Sequence, residues 1–322
     1  MIINLDELRV WSMLGQSRVY GLAMDLIAKD NDKLMVVSAD LGRSSGLDRF
    51  MKNNPSKYVN VGIAEQNMLG VAAGLADSGF IVFASSISKF ATLRACEFIE
   101  HFMNYMNSPV KLVGLNAGFS HEYLGNTHHG LNDIATIRAF PNNVIISPAD
   151  GLEVMKALNA LVQHNGSAYL RLTGTKNCPI IYKDDYEFEI GKAISLKHGE
   201  DIALISCGSI VANALEAAKI LEYSGVTVSV TNMHTIKPLD TNALDSLLKK
   251  NLIVTIEEHS IIGGLGGAVA EYVCGKSNAP AVLVLGIKQG YSYIGSYKYL
   301  LEQSGLLSEQ IANSVLQKLK KV

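Results

Sequence analysis

The chain has 322 residues, with 28 basic against 30 acidic side chains and a formal net charge of −2. Hydrophobic residues make up 48% and charged residues 18%, which is enough apolar surface for large cores and excludes disorder. The balanced charge offers no basic field for nucleic acid, since only Lys318, Lys320 and Lys321 at the end approach a basic run.

The start of the chain, Met1 to Glu7, has no cationic stretch followed by an apolar core, so no secretory signal is expected. Short apolar runs then alternate with longer stretches of helical period. That is the pattern of an α/β fold, two domains with mainly parallel sheets flanked by helices. In the first half, buried strands are predicted at 34–37, 80–84, 110–115, 144–146 and 168–172. Met68, Val71 and Leu75 recur at helical spacing on a segment rich in Ala and Gly, whose small side chains let a helix lie close to its neighbour. Asp150 reads as the N-cap of a following helix.

After Leu172 the chain turns polar and rich in turn residues, which predicts a linker and two domains, 1–180 and 190–322. The second half shows strands at 202–205, 226–230, 252–256 and 281–285, with helices at 211–223, 241–249 and 267–274. Cys96, Cys178, Cys207 and Cys274 form no CxxC pair and read as reduced thiols of a cytoplasmic protein. No run of about 18 apolar residues predicts a membrane span.

Ligands of open parallel sheets gather at the carboxyl ends of strands. Those ends carry Ser38-Ala39-Asp40, Ser85-Ser86, Asn116 and Ser147-Pro148-Ala149-Asp150, residues that equally well cap helices. Val61-Gly62-Ile63-Ala64-Glu65-Gln66-Asn67 is more informative, because it sets a Glu between an apolar approach and the Ala/Gly-rich helix. On residue chemistry alone, Glu65 is either a functional carboxyl or a first-turn acid favoured by the helix dipole.

These residues resemble a known family. Val61 to Gln66 is similar to the glutamate signature of transketolases, and Ser85-Ser86-Ile87-Ser88-Lys89-Phe90-Ala91-Thr92 resembles their cofactor-ring pocket. Gly125-Asn126-Thr127-His128 with Asp133, Arg138 and Pro141-Asn142 resembles their substrate-histidine segment. Lys237-Pro238-Leu239-Asp240, Glu257-Glu258-His259 and Gly263-Gly264-Leu265-Gly266 resemble landmarks of their C-terminal domain. Together they make the chain similar to the C-terminal half of transketolase, the pyrimidine-binding domain followed by the C-terminal domain.

The resemblance implies thiamine diphosphate as cofactor. Glu65 would then bond N1′ of the aminopyrimidine, whose imino nitrogen removes the proton from thiazolium C2. Phe90 would face the ring, Ile87 would replace an aromatic of the same pocket, and Asp40 would contribute at the neighbouring strand end. His128 would touch substrate, Arg171 would anchor a substrate phosphate through its planar fork, and Asn116 would face substrate where transketolases commonly have a histidine. Leu124 stands where they have an acid, which implies an altered sugar. Arg171 as a structural ion pair, Phe90 as plain core and His128 as a loop residue remain the alternatives. The glycines 263–267 do not complete a dinucleotide fingerprint and read as close backbone packing and domain contact.

No Gly-Asp-Gly occurs in the sequence, so the family pattern assigns the Mg2+ or Ca2+ ion and the diphosphate to a separate N-terminal subunit, in an expected α2β2 assembly. No ligand to the metal is expected from this chain. The implied activity is transfer of a two-carbon ketol unit from a ketose, expected to be phosphorylated, to an aldose. The alternatives are the β subunit of a 2-oxo acid dehydrogenase first component and a 1-deoxyxylulose-phosphate-synthase-like enzyme.

Overall fold

Two sheets form, each drawn mainly from one half of the chain, in a computed structural model that describes residues 5–291 and 293–320. Residues 1–4 and Lys321, on which the readings of the chain start and the basic tail partly rest, lie outside the described residues. In chain order the strands are β1 (Leu34–Ser38), β2 (Tyr58–Asn60), β3 (Ile81–Ile87), β4 (Lys111–Leu115), β5 (Asn143–Ile146) and β6 (Ser167–Arg171). They continue with β7 (Ile194–Lys197), β8 (Ile202–Ser206), β9 (Val228–Asn232), β10 (Thr235–Lys237), β11 (Leu252–Ser260) and β12 (Ala281–Ile287). The first sheet runs β10-β5-β6-β4-β3-β1-β2, parallel except for β10. The second runs β12-β11-β8-β9-β7, parallel except for β7.

Helices cover both faces of the first sheet, so its strands are apolar in both directions, as parallel strands are. Along β3, Val82 and Ala84 point to the side of helix Glu65–Asp77, and Phe83 points to the side of helix Gln16–Ile27. The helix at 65–77 buries Met68, Leu69, Ala72, Ala73 and Ala76, a stripe of mostly small residues. Val71 and Leu75, expected on that stripe, lie at its half-buried edge. Asp150 caps helix Gly151–Gln163 by accepting the Glu153 N–H at 2.9 Å. Among the described residues no helix is long and apolar enough to cross a membrane.

Strands β2 and β7 lie outside the predicted strands, and two further features depart from the sequence reading. Strand β10 follows β9 of the second sheet, yet it closes the edge of the first by pairing antiparallel with β5. Strand β11 runs on past 256 through Glu257, Glu258 and His259, all buried. Their charges are met from elsewhere: the N–H groups of Leu265 and Gly266 donate to Glu257 at 2.7 and 2.8 Å, and the Phe119 N–H and Tyr297 hydroxyl donate to Glu258. Burial nevertheless pushes the Glu257 carboxyl up to about 7.

The glycines around 264 close over this carboxylate. A Cβ on Gly264 would lie 2.0 Å from Glu257 Oε2 and 2.7 Å from His259 Nδ1. Gly264→Ala is therefore expected to destabilise the chain by roughly 1–3 kcal/mol, as overpacking does. Urea unfolding measures this, and an unchanged midpoint would show that the carboxylate can move away freely.

Candidate active site

The carboxyl ends of β1, β3 and β4 lie side by side and form one crest of the first sheet. From β2 the chain turns at Gly62, whose φ of 75° suits a residue without Cβ, and enters helix Glu65–Asp77. Glu65 is the first residue of that helix and only 2% exposed. Its carboxylate is held at both oxygens. The Ser86 hydroxyl, from β3, donates to Oε1 at 2.9 Å, and Arg94 Nη1 donates to Oε2 at 2.9 Å.

Beyond β3 the chain widens into a π-helical turn, Phe90–Arg94, which puts residues four apart on one side. The Arg94 guanidinium carbon lies 4.1 Å from the Phe90 ring centroid. His128 meets Phe90 at 5.1 Å, edge to face. His128 follows the turn Glu122–Thr127, which is broken at Gly125 (φ 70°), and its Nδ1 lies 2.9 Å from the Thr127 hydroxyl. Lys89 fastens that turn by donating to the Asn126 carbonyl at 2.6 Å. Glu65, Ser86, Arg94, Phe90 and His128 thus form a continuous set.

The remaining predicted residues lie around this set. Ile87 ends β3 and is buried at the same crest. Asp40 is exposed just beyond β1 and exchanges two hydrogen bonds with Asn60, at 3.0 and 3.1 Å. Asn116, just beyond β4, donates its N–H to the Ser17 hydroxyl at 3.1 Å and lines a polar cleft with Ser17, Arg18, Ser44, Ser120 and Lys176. Leu124 is exposed on the turn that carries His128. His129 points the other way, buried, with Nε2 2.9 Å from the Glu122 carbonyl.

The sequence reading missed two residues. Arg94 lies just past the segment that carried the ring-pocket resemblance. His121 packs edge-on against His128 at 5.5 Å. Burial, reinforced by His128 and His129, pushes the His121 imidazole down to about 4 and keeps it neutral.

Arg171 requires a correction. Although it ends β6, its side chain is only 2% exposed and faces inward. Nε donates to Asp133 Oδ2 at 2.8 Å, and Nη2 donates to the carbonyls of Gly130 and Glu258, each at 3.0 Å. A guanidinium so committed ties the two halves of the chain together and presents no fork to a phosphate. The structural alternative holds for this residue.

The residues at the crest suit an aminopyrimidine. One planar, nitrogen-bearing group already bonds Glu65 and lies on Phe90 at once, so the carboxylate and the aromatic face are spaced for such a ring.

The fold defines the class, a two-domain α/β protein with mostly parallel sheets flanked by helices. The family profile for the transketolase pyrimidine binding domain matches residues 13–177, and that for the transketolase C-terminal domain matches residues 191–311. The chain is 36% identical over 289 residues to the 6-deoxy-6-sulfo-D-fructose transketolase subunit SqwH of Clostridium sp., covering 89% of each protein. It is 37% identical over 291 residues to one subunit of the apulose-4-phosphate transketolase of Actinobacillus succinogenes, covering 89% of this chain and 93% of that one. A solved split-gene transketolase, an inactive β4 tetramer, superimposes with a TM-score of 0.85 at 34% identity, over 95% of this chain and 98% of that one. The chain belongs to the transketolase family, as a subunit of the split form of the enzyme.

Proposed function

We propose that this chain is the C-terminal subunit of a two-subunit transketolase that moves a two-carbon ketol unit from a ketose to an aldose in the cytoplasm. The observation that carries the reading is the buried Glu65 carboxylate beside the Phe90 ring. When bound, thiamine diphosphate supplies the nucleophilic carbon and the electron sink for C–C cleavage. Glu65 holds a proton against N1′ of the aminopyrimidine, in a site dry enough to strengthen that bond. Phe90 stacks on the ring, Ile87 closes the apolar wall, and Asp40 borders the seat. His128, with one ring nitrogen engaged by Thr127, keeps the other for the oxygen of the reacting sugar carbon.

An N-terminal subunit holds the diphosphate and its Mg2+ or Ca2+ ion, and the working assembly is α2β2. The β4 assembly that resembles this chain supports the reading, because that protein is inactive in that form. The donor is a ketose bearing an anionic group. The names of two relatives span a sulfonated and a phosphorylated ketose, and the polar cleft with Asn116, Arg18 and Lys176 offers cationic and amide donors to either. Leu124 removes an acid from the donor side and favours a sugar other than the common pentose phosphates.

The test is co-purification with the N-terminal subunit followed by a screen of ketose donors. The isolated chain should transfer nothing, and the pair should transfer a ketol unit. Full turnover by the isolated chain would overturn the subunit reading. Release of CO2 from 2-oxo acids by the pair, without ketol transfer, would overturn the transketolase reading.

A further inference from the structure

Arg94 holds both contacts that the aminopyrimidine is expected to make. Its Nη1 is 2.9 Å from Glu65 Oε2, and its guanidinium carbon is 4.1 Å from the Phe90 centroid. A guanidinium is planar, carries its donors in the plane and stacks on aromatic rings, so it meets the same pair of demands as a flat heterocycle. His128 also packs against Phe90, with ring centroids 5.1 Å apart, so the ring is already engaged by a second group. Two planar groups cannot share one face of Phe90.

We infer that Arg94 is a gate on the pyrimidine seat, and that loading of the coenzyme exchanges its guanidinium for the aminopyrimidine on Glu65 and Phe90. This rests on the transketolase reading. The exposures of the two partners set the direction of the exchange: the Arg94 side chain is 46% exposed and Glu65 2%. The guanidinium can retreat into water at little cost, whereas the carboxylate cannot leave its site. Stripping Glu65 of a partner would leave a buried charge uncompensated, so the seat stays paired until the neutral ring arrives and a proton from solvent is taken up between Glu65 and N1′ as the cationic guanidinium leaves. The gate therefore protects the carboxylate and competes with the coenzyme at the same time.

The inference is tested on the two-subunit assembly with wild-type, R94A and R94M chains, by calorimetric titration with thiamine diphosphate in the presence of Mg2+. Removing the competitor should tighten binding by roughly two- to fivefold, the equivalent of one half-exposed ion pair. A thermal-stability cycle of E65Q, R94A and the double variant gives a second readout. Coupling between the two positions should be present before coenzyme is added and gone at saturation. Wild-type binding that R94A weakens or leaves unchanged, or coupling that persists at saturation, overturns the exchange while the transketolase reading stands. Failure of all three assemblies to bind the coenzyme overturns that reading and the exchange with it.

Discussion

Replacing Glu65 by Gln in the reconstituted pair is expected to lower kcat by about 10²–10⁴-fold, the range over which a positioned proton-transfer group contributes. Gln has the same shape and can still accept the Ser86 hydroxyl at one oxygen, so the helix start and the crest should keep their form. What it loses is specific. Its amide nitrogen would face Arg94 donor to donor, and it has no carboxyl proton to hold against N1′ of the aminopyrimidine. Coenzyme binding should survive better than turnover, because Phe90 and the N-terminal subunit supply contacts that the substitution leaves alone. Steady-state kinetics with a titration of thiamine diphosphate separates the two effects. A kcat within a few-fold of wild type would mean that another group does this work.

Glu65 can be placed from the sequence because its signature is local: a glycine turn, a carboxylate and an Ala/Gly-rich helix follow one another within a few residues. Arg94 cannot, because the carboxylate it pairs with lies 29 residues away, and the wide helical turn that aims it has no apolar period of its own. The same distinction divides the fold. Strands such as β1 and β4 are buried on both faces and appear in the sequence as predominantly apolar runs. Strands β2 and β10 have three residues each, too few to show a period, and β10 gains its place by pairing with a distant edge. The charged end of β11 reads as the close of a strand, because nothing nearby in sequence announces that Phe119, Tyr297 and Gly266 will satisfy it. Arg171 misleads for a related reason. A strand-end arginine has the same sequence context whether it turns outward to a ligand or inward to Asp133.

That difference can be measured. Arg171→Met should destabilise the chain by about 3–5 kcal/mol, the usual consequence of removing one member of a buried ion pair. Asp133, which accepts from both Arg171 and the Tyr169 hydroxyl, would be left as a buried carboxylate with only a neutral donor. The loss should depend on pH with a definite sign. Burial pushes the Asp133 carboxyl up, but in the native protein Arg171 and His259 outweigh it, so the group lies below its usual range. Its stabilising contribution is therefore present at neutral pH and lost only as pH falls through that lowered value. Without Arg171, burial dominates and the native carboxyl rises above its unfolded value. Stability of the variant then declines as pH rises through the new value, and the difference from wild type is larger at pH 8 than at pH 5. His259, held down to about 4 by burial with a further contribution from Arg171, should rise in the variant, which adds stability at the lower pH and widens the difference in the same direction. Urea unfolding at the two pH values checks the prediction. A phosphate anchor would behave differently, with unchanged stability at both pH values and a raised KM for anionic donors.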